Sequence, residues 1–236
     1  MRVLTLDIGN SRASFGVFEQ DALVERWDVP NTSFVPGMVQ TQHVDRIAIS
    51  CVSKAHRECV AQLQAQCGIP VLMLDASVSP VVLHYDCPNR LGSDRIANVL
   101  AAHEKSLAGA VVIDLGTATH FDICEADGSF RGGPILPGLE TMMTMLTARI
   151  PHLPQVDISS HCSPVVTRTE DGIRAGCLYA TAGAVERVCR EITAQIGSMP
   201  IYLTGGNAPV IAPLVLHDAV DLNLTLRGLY LFACSS

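Results

Sequence analysis

Two short segments of the chain combine a carboxylate, a glycine and small hydroxyl or amide side chains. Val3–Ser11 ends in Asp7-Ile-Gly-Asn-Ser, and Val111–Thr119 contains Asp114-Leu-Gly-Thr-Ala-Thr. Glycine lets a strand turn sharply, so that backbone N–H and hydroxyl groups point at phosphate oxygens. An aspartate at the strand end can orient a cation that bridges the same oxygens. The pattern predicts phosphate binding, although Asp-x-Gly also forms ordinary hairpin turns.

A third glycine turn follows near the end of the chain, in Leu203-Thr-Gly-Gly-Asn207. The separation between Asp7 and Asp114 is close to half of the chain, which has 236 residues. A period of this length predicts two related domains rather than a solenoid. Three such turns suit a nucleotide held between two lobes, with Gly205-Gly206 closing over the base or the sugar.

A carboxylate with a second kind of chemistry lies in Gly92-Ser-Asp-Arg95, directly before a helical apolar stripe over 96–107. Ser93 or Asp94 could cap this helix. Alternatively, Asp94 could accept the hydroxyl proton in a phosphoryl transfer. Arg95 could bind a substrate carboxylate in bidentate fashion or pair with a surface acid.

Other residues have a structural as well as a functional interpretation. Tyr85 could be core packing or a substrate wall whose hydroxyl donates a hydrogen bond. Thr169 precedes a helical stretch and could be its N-cap, a ligand contact, or both. The methionines at 142, 143 and 145 are expected to pack a helix against the core.

The predicted elements repeat in the two halves. The first half alternates like strands over 13–18 and 22–29, with a turn at 19–21, and has a buried strand within 45–53, a helix within 55–67 and a strand over 71–74. The second half is predicted to have strands over 111–113, 119–124, 128–131 and 201–204, with an Asp127-Gly128 turn. We therefore predict two α/β domains, 1–110 and 111–236.

Composition excludes several classes of protein. The chain is 48% hydrophobic and 17% charged, so it can bury a sizeable core. Its net charge of −7 argues against nucleic acid as a partner. Neither of its two lysines, Lys54 and Lys105, follows a glycine loop, which excludes a phosphate loop of the G-x-x-x-x-G-K type.

Location and metal binding can also be predicted from composition. No run of about 18 apolar residues and no export signal occurs, so we predict a cytoplasmic protein without a membrane partner. The nine cysteines are scattered and odd in number, which indicates mostly buried thiols in a reducing compartment. No histidines have metal-ligand spacing, and no zinc is expected.

As an ordered set, these motifs resemble the type III pantothenate kinases within the actin, Hsp70 and sugar-kinase superfamily. The likeness runs from Asp7 to the Leu226-Arg-Gly-Leu229 ending, so it covers essentially the whole chain. It is carried by the three glycine turns, Tyr85, Gly92-Ser-Asp-Arg95, Gly132-Gly-Pro-Ile-Leu-Pro-Gly138 and Thr169-Glu-Asp-Gly-Ile-Arg-Ala-Gly176. The resemblance implies two duplicated ribonuclease H-like (actin-like ATPase) lobes with a nucleotide cleft between them.

The resemblance also implies roles for individual residues. The first ATP-phosphate turn would be formed by Asp7, Ile8, Gly9, Asn10, Ser11, Arg12, Ala13 and Ser14, and Thr117 would contact ATP from the second turn. Asp114 would hold a monovalent cation, potassium or ammonium. Pantothenate would be bound by Tyr85, Gly92, Ser93, Asp94, Arg95 and Thr169. Asp94 would be the catalytic base.

The implied activity is the transfer of phosphate from ATP, with Mg²⁺, to pantothenate, which opens coenzyme A synthesis. The resemblance further implies a homodimer with the pantothenate pocket near the subunit interface. Two other functions stay open on the residues: another small-molecule kinase or phosphatase of the superfamily, and a nucleotide-binding regulator without turnover. The regulator would need neither Tyr85 nor Asp94.

Three places depart from the family pattern, and one of them is the segment Ser50-Cys-Val-Ser-Lys54, which lacks the proline that the family often has after this strand. Ser11 stands where a threonine is usual, which keeps the hydroxyl. His120 stands where Gly-Thr-Ala-x-Thr-x-Asp would have its second threonine. A larger, titratable ring there is expected to reshape the pocket behind the phosphates.

Overall fold

The structure, a computed structural model, describes residues 1–39, 43–158 and 163–235. The strands in these ranges are β1 (Arg2–Ile8), β2 (Arg12–Glu19), β3 (Ala22–Pro30), β4 (Arg46–Cys51), β5 (Val71–Met73), β6 (Ala110–Leu115), β7 (Ala118–Cys124), β8 (Ile135–Pro137), β9 (Ile201–Thr204) and β10 (Ala219–Val220). The α-helices are α1 (Arg57–Gln66), α2 (Ser93–Lys105), α3 (Leu139–Arg149), α4 (Thr169–Ile196), α5 (Ala208–Ile211) and α6 (Leu224–Ser235). None of these helices is both long enough and apolar enough to cross a membrane.

The chain divides into two compact units. The first unit contains Met1–Leu107, Glu125–Arg131 and Asn223–Ser236, and the second contains Ala108–Cys124 and Gly132–Leu222. Each unit has one five-stranded sheet and its own hydrophobic core. The single division predicted between residues 110 and 111 stays a prediction.

The first unit is built on the sheet order β3-β2-β1-β4-β5. β1 pairs antiparallel with β2 and parallel with β4. The β2–β3 turn has Gln20 at φ 49° and Asp21 at φ 75°, which matches the positive φ values of a two-residue hairpin turn. This turn and both of its strands were predicted from the sequence.

The second unit repeats the arrangement, in the order β8-β7-β6-β9-β10. Its central strand β6 pairs antiparallel with β7 and parallel with β9, as β1 does with β2 and β4. Both sheets therefore carry the same topology, and the predicted pair of related α/β halves is confirmed.

The third strand of the second sheet differs from the prediction. The sequence predicts a strand over Gly128–Arg131, but the strand that pairs with β7 is β8, Ile135–Pro137. Phe130 instead donates to the Val82 carbonyl at 2.9 Å and accepts from the His84 N–H at 2.9 Å. These bonds attach the segment to the first unit, so the predicted strand is wrong.

The C-terminal helix α6 packs on α2 in the first unit. A side chain at Gly228 would lie 1.8 Å from the Ala97 carbonyl oxygen, so only glycine allows this approach of the two backbones. Thr225 donates to the Asn98 side chain at 2.8 Å, and Arg227 donates to Glu104 through Nε at 2.7 Å. α2 is thereby held by α6 at its middle and near its C-terminal end.

The cysteines are less buried than the sequence predicts. Eight of them lie in the described residues, and all eight carry free thiols. Three are buried (Cys124, Cys177 and Cys189), three are half-buried (Cys51, Cys59 and Cys67), and two are exposed (Cys87 and Cys234). Cys162 lies outside the described residues.

Candidate functional site

The first glycine turn joins β1 to β2. Its backbone is closed by a 3.0 Å hydrogen bond from the Gly9 N–H to the Arg12 carbonyl. Asn10, Ser11 and Arg12 are exposed, whereas Ala13 is fully buried and anchors the start of β2. The turn therefore presents its tip to solvent from a fixed base.

A residue outside the turn holds it in shape. The Asn31 side chain donates to the Gly9 carbonyl at 2.8 Å, and the Asn31 N–H donates to the Ser11 carbonyl at 3.1 Å. Asn31 follows directly after β3, which the sheet brings beside the turn. These bonds limit the conformations that the turn can adopt.

The carboxylate of this turn, Asp7, lies at the penultimate position of β1 and is half-buried. Its partners across the sheet are Ser14 on β2 and Ser50 on β4. Burial raises the pKa of the Cys51 thiol, the next residue along β4, and the negative charge of Asp7 raises it further. A hydrogen bond from this thiol to the Ser53 carbonyl, at 3.4 Å, holds its side chain in place.

The second glycine turn joins β6 to β7 and is held by the start of α3. The Thr117 carbonyl accepts from the Gly138 N–H at 3.0 Å and from the Thr141 hydroxyl at 2.6 Å. A side chain at Gly138 would lie 2.0 Å from the Gly116 carbonyl oxygen, so α3 begins directly against the turn. Thr117 itself is exposed.

The third glycine turn lies against the second. The Asn207 N–H donates to the Leu115 carbonyl at 2.9 Å. Gly205 has φ +85°, and a Cβ there would lie 2.4 Å from Asp114 Oδ1. A Cβ at Gly116 would lie 3.3 Å from the same oxygen. Asp114 Oδ1 thus lies in a cradle between two glycines, where a side chain at 205 would overlap it and one at 116 would make a tight contact.

The other oxygen of Asp114 faces His120. His120 Nε2 lies 3.7 Å from Asp114 Oδ2, and Nδ1 lies 3.1 and 3.2 Å from the two oxygens of Asp122. His120 is 7% exposed and Asp122 is fully buried. The ring that departs from the family pattern therefore lies between two carboxylates.

The residues around Asp114 fit a hard cation. A carboxylate oxygen beside glycine backbone offers the oxygen ligands that such cations prefer. In the described ranges, no three His, Cys, Asp or Glu side chains are arranged to hold a metal ion by themselves. A cation at Asp114 would therefore need further oxygens from the backbone, from water or from a nucleotide.

Asp94 lies in the first turn of α2, which begins at Ser93 after the N-cap residue Gly92. No side chain caps this helix from the N-cap position, but Asp94 Oδ1 accepts from the Arg95 N–H at 2.8 Å. A Cβ at Gly92 would lie 2.3 Å from Asp94 Oδ1. Glycine at 92 therefore allows the carboxylate to fold back onto the helix terminus.

Ser93 connects this loop to the sheet. Its hydroxyl lies 2.9 Å from the Ser50 hydroxyl and accepts from the Cys51 N–H at 3.2 Å. Because Ser50 is the neighbour of Asp7 across β1 and β4, the loop with Asp94 and the first glycine turn share one edge of the first sheet. The structure thus brings together two motifs that are distant in the sequence.

Tyr85 and Arg95 meet at Phe130. The Tyr85 ring centroid lies 5.9 Å from that of Phe130, and the Arg95 guanidinium carbon lies 5.2 Å from the Phe130 centroid. Arg95 is only 4% exposed, so it is no surface residue that pairs with a surface acid. Cation–π contact with a fully buried ring fixes its position.

A cavity of about 640 Å³ opens in the first unit beside Gly92 and Ser93. Three exposed cationic side chains line it: Lys54, Arg57 and Arg90. Asp75 lies at the same cavity, and hydrogen bonds from Ser77 lower the pKa of its carboxyl. The cavity is large enough for a small organic ligand, and its lining favours an anionic one.

Thr169 is the first residue of α4 and is exposed. The N-cap position belongs to Arg168, and no side chain caps the helix there. The interpretation of Thr169 as an N-cap is therefore wrong. Thr169 belongs to the second unit, whereas Tyr85 and the Gly92–Arg95 loop belong to the first.

Three residues that shape these sites were given no role from the sequence: Asn31, Phe130 and Asp122, the last being the aspartate of the Gly-Thr-Ala-x-Thr-x-Asp pattern. Asp122 could have been found, because strand alternation places it on the same face as His120. Asn31 and Phe130 carry no local signal. Their importance arises from hydrogen bonds and ring contacts with residues that are distant in the sequence.

Comparison with known proteins places the chain in a family. The sequence profile of type III pantothenate kinase matches residues 3–191. A type III pantothenate kinase of Desulfosudis oleivorans is 33% identical, with 99% of each chain covered. That of Thermobifida fusca is also 33% identical, with 96% of each chain covered.

Solved structures show the fold. A Campylobacter jejuni protein described as a candidate transcriptional activator of the Baf family has a TM-score of 0.70 at 23% identity, with 98% of each chain covered. The ROK hexokinase of Thermus thermophilus has a TM-score of 0.53 at 14% identity, also with 98% of each chain covered. These likenesses confirm the α/β fold class with two five-stranded sheets that the resemblance implied. By its matched sequence and by its relatives, the chain belongs to the type III pantothenate kinase family.

Proposed function

We propose that the chain transfers the γ-phosphoryl group of ATP to the terminal hydroxyl of pantothenate, the first step of coenzyme A synthesis. The observation that carries this proposal is Asp94, which Gly92 allows to fold onto the start of α2 beside the edge of the sheet that bears Asp7. Membership of the family supplies the substrate class.

The two glycine turns are proposed to bind ATP. Residues Asp7 to Ser14 form the first contact, in which the exposed tip supplies N–H and hydroxyl donors to phosphate oxygens. Thr117 supplies a hydroxyl from the second turn. Such turns need no rearrangement on binding, because Asn31 holds the first and Gly138 and Thr141 hold the second.

Asp94 is proposed to accept the proton of the pantothenate hydroxyl as its oxygen attacks the γ-phosphorus. The bond from that phosphorus to the bridging oxygen breaks, and ADP leaves. Phosphoryl transfer depends mostly on positioning and charge neutralisation, so a fixed carboxylate is well suited to this step. The hydrogen bond from the Arg95 N–H provides that fixation.

Pantothenate is proposed to lie against Tyr85 and the Gly92–Arg95 loop, with Thr169 as a further contact. Its carboxylate requires positive charge. Arg95 beside Phe130 is one source of that charge, and the cationic lining of the cavity next to Gly92 is another. Both lie in the first unit, which also carries Asp94.

Asp114 is proposed to hold a monovalent cation, potassium or ammonium, and Mg²⁺ is proposed to accompany ATP. These cations neutralise phosphate charge when bound. The glycine cradle at Gly116 and Gly205 supports the first assignment, since neither neighbour has a side chain that would cover Asp114 Oδ1. We further propose a cytoplasmic homodimer, which light scattering over a concentration series tests directly.

An ADP-release assay tests the activity, with and without pantothenate. ADP release that depends on pantothenate supports the kinase, whereas release without it indicates another enzyme of the superfamily. Nucleotide binding without ADP release indicates a regulator. Asp94→Asn is expected to bind ATP normally and to lose about 10²–10⁴-fold in turnover, as loss of a general base does. A variant with near-wild-type turnover would remove Asp94 from the mechanism.

A further inference from the structure

The sequence alone does not explain why a histidine stands at position 120. It lies on β7 directly opposite Asp114 on β6, and Asp122 follows two positions later on the same face. Burying one imidazole together with two carboxylates costs free energy unless their polar atoms are paired with one another. The ring is 7% exposed, so it makes these contacts in an interior environment.

The two ring nitrogens have different partners. Nδ1 lies 3.1 and 3.2 Å from both oxygens of Asp122, which is hydrogen-bond distance, and the buried carboxylate accepts. Nε2 lies 3.7 Å from Asp114 Oδ2, which is ion-pair distance. Asp122 therefore sets the orientation of the ring, and Nε2 of the ring faces Oδ2 of Asp114.

We infer that His120 is a positioning residue for the cation site at Asp114. With Asp122 behind it, His120 keeps Oδ2 turned toward β7 and leaves Oδ1 in the cradle of Gly116 and Gly205. A threonine at this position, as the family pattern has, would be too short to reach both carboxylates. This chain thus uses a longer side chain to fix the rotamer of the cation-binding aspartate.

The inference rests on the proposed function only in assigning a monovalent cation to Asp114. Partners that orient a metal-ligating side chain typically change cation affinity by about 10–100-fold when they are removed. Loss of the His120 contact should therefore weaken potassium binding at Asp114 and leave the first glycine turn unaffected.

Two substitutions separate positioning from packing. In His120→Asn the amide nitrogen takes the place of Nδ1, so the bond to Asp122 is kept and the contact with Asp114 is lost. In His120→Gln the amide nitrogen takes the place of Nε2, so it still faces Asp114. Asp114→Asn serves as the reference in which the cation site itself is damaged.

The measurement is the equilibrium affinity of a non-hydrolysable ATP analogue over a series of potassium concentrations, at constant ionic strength with choline chloride. This readout needs no turnover, and thermal unfolding of each variant reports whether it folds. We expect the half-saturating potassium concentration to rise about tenfold in His120→Asn and to stay within about threefold in His120→Gln. Affinity in Asp114→Asn should no longer depend on potassium.

A His120→Asn protein that requires no more potassium than the wild type would overturn the inference, since the ring would then only fill space. Equal weakening in both variants would overturn it as well. A wild-type protein whose nucleotide affinity is independent of potassium overturns it regardless of its activity. The proposed kinase function fails separately, if ADP release from the wild type does not depend on pantothenate.

Discussion

The first and second glycine turns carry the same aspartate at corresponding places in two sheets of the same strand order, but the neighbours of that aspartate differ. Across its two paired strands, Asp7 faces Ser14 and Ser50. Asp114 faces His120 and Thr204. The repeat therefore preserves the position of the carboxylate, while its cross-strand partners decide how firmly it is held.

The two glycine turns also differ in how far the surrounding chain encloses them. The first turn is exposed at its tip and is braced by the Asn31 side chain. The second is packed against the third turn and against the start of α3, with Gly205 and Gly138 at the contacts. An exposed turn that is held in shape can accept phosphates without rearrangement, whereas an enclosed one suits a fixed ion. One motif thus supports two proposed tasks because of its surroundings.

The largest effect is expected at the cradle of the second turn. Gly205→Ala places a Cβ 2.7 Å from the Leu115 backbone and at φ +85°, so overlap and backbone strain together should lower the free energy of unfolding by about 4 kcal/mol. Gly9→Ala is the matched control, because its Cβ would meet the nearest atom at 3.4 Å and should change stability by about 0.5 kcal/mol at most. Urea unfolding of both variants measures the contrast. Equal losses would mean that the turns are packed alike.

The next effect concerns the carboxylate behind His120. Asp122→Ala leaves the imidazole buried without this partner and should cost about 3 kcal/mol, as removal of one member of a buried pair does. Ser14→Ala, at the strand next to Asp7, should change the free energy of unfolding by well under that amount. Chemical denaturation at pH 7 compares the two. If Asp122→Ala is as stable as Ser14→Ala, the second carboxylate is not held more firmly than the first.

A smaller effect is expected where the first turn is braced. Asn31→Ala removes the 2.8 Å bond to the Gly9 carbonyl and should reduce stability by about 1 kcal/mol. The freed turn should also weaken ATP binding, because its conformation must then be fixed on binding. Calorimetric titration with ATP measures this, with Thr32→Ser, a conservative change at an exposed neighbour of Asn31 outside the turn, as the control. Unchanged affinity in Asn31→Ala would show that the turn needs no brace.

The smallest effect is a change in thiol reactivity beside the first turn. Burial raises the pKa of the Cys51 thiol above its usual value. The negative charge of Asp7 raises this pKa further, because it disfavours the thiolate. Asp7→Asn removes that charge, so the pKa of the Cys51 thiol should fall. Alkylation of Cys51 at a pH below this pKa should then become modestly faster. Iodoacetamide labelling between pH 7 and 9, read by mass spectrometry, tests this. The exposed Cys87 serves as the internal control, and a slower reaction at Cys51 would contradict the sign.

Much of the fold could be predicted because its signals are local. The strands on both sides of each Asp-x-Gly turn follow from short apolar runs and a glycine. The hairpin at Gln20–Asp21 follows from turn residues between alternating segments. The duplication of the sheet follows from the repeat of the motif in the second half of the chain. The positions of Asp7, Asp94 and Asp114 relative to their own strands or helix needed no tertiary information.

The rest depended on contacts between residues distant in the sequence. The segment predicted as the third strand of the second sheet pairs instead with Leu83, because Phe130 finds its backbone partners much earlier in the chain. Arg95 packs against the same ring, so it does not lie at the surface as one of its two predicted interpretations required. The cradle at Asp114 required Gly205, from a much later strand end, to approach it. The sequence by itself determined where the chemical groups lie along each strand, because that depends on hydrogen bonds between near neighbours. Only the tertiary structure decided which groups enclose them, because burial joins residues whose separation leaves no local pattern.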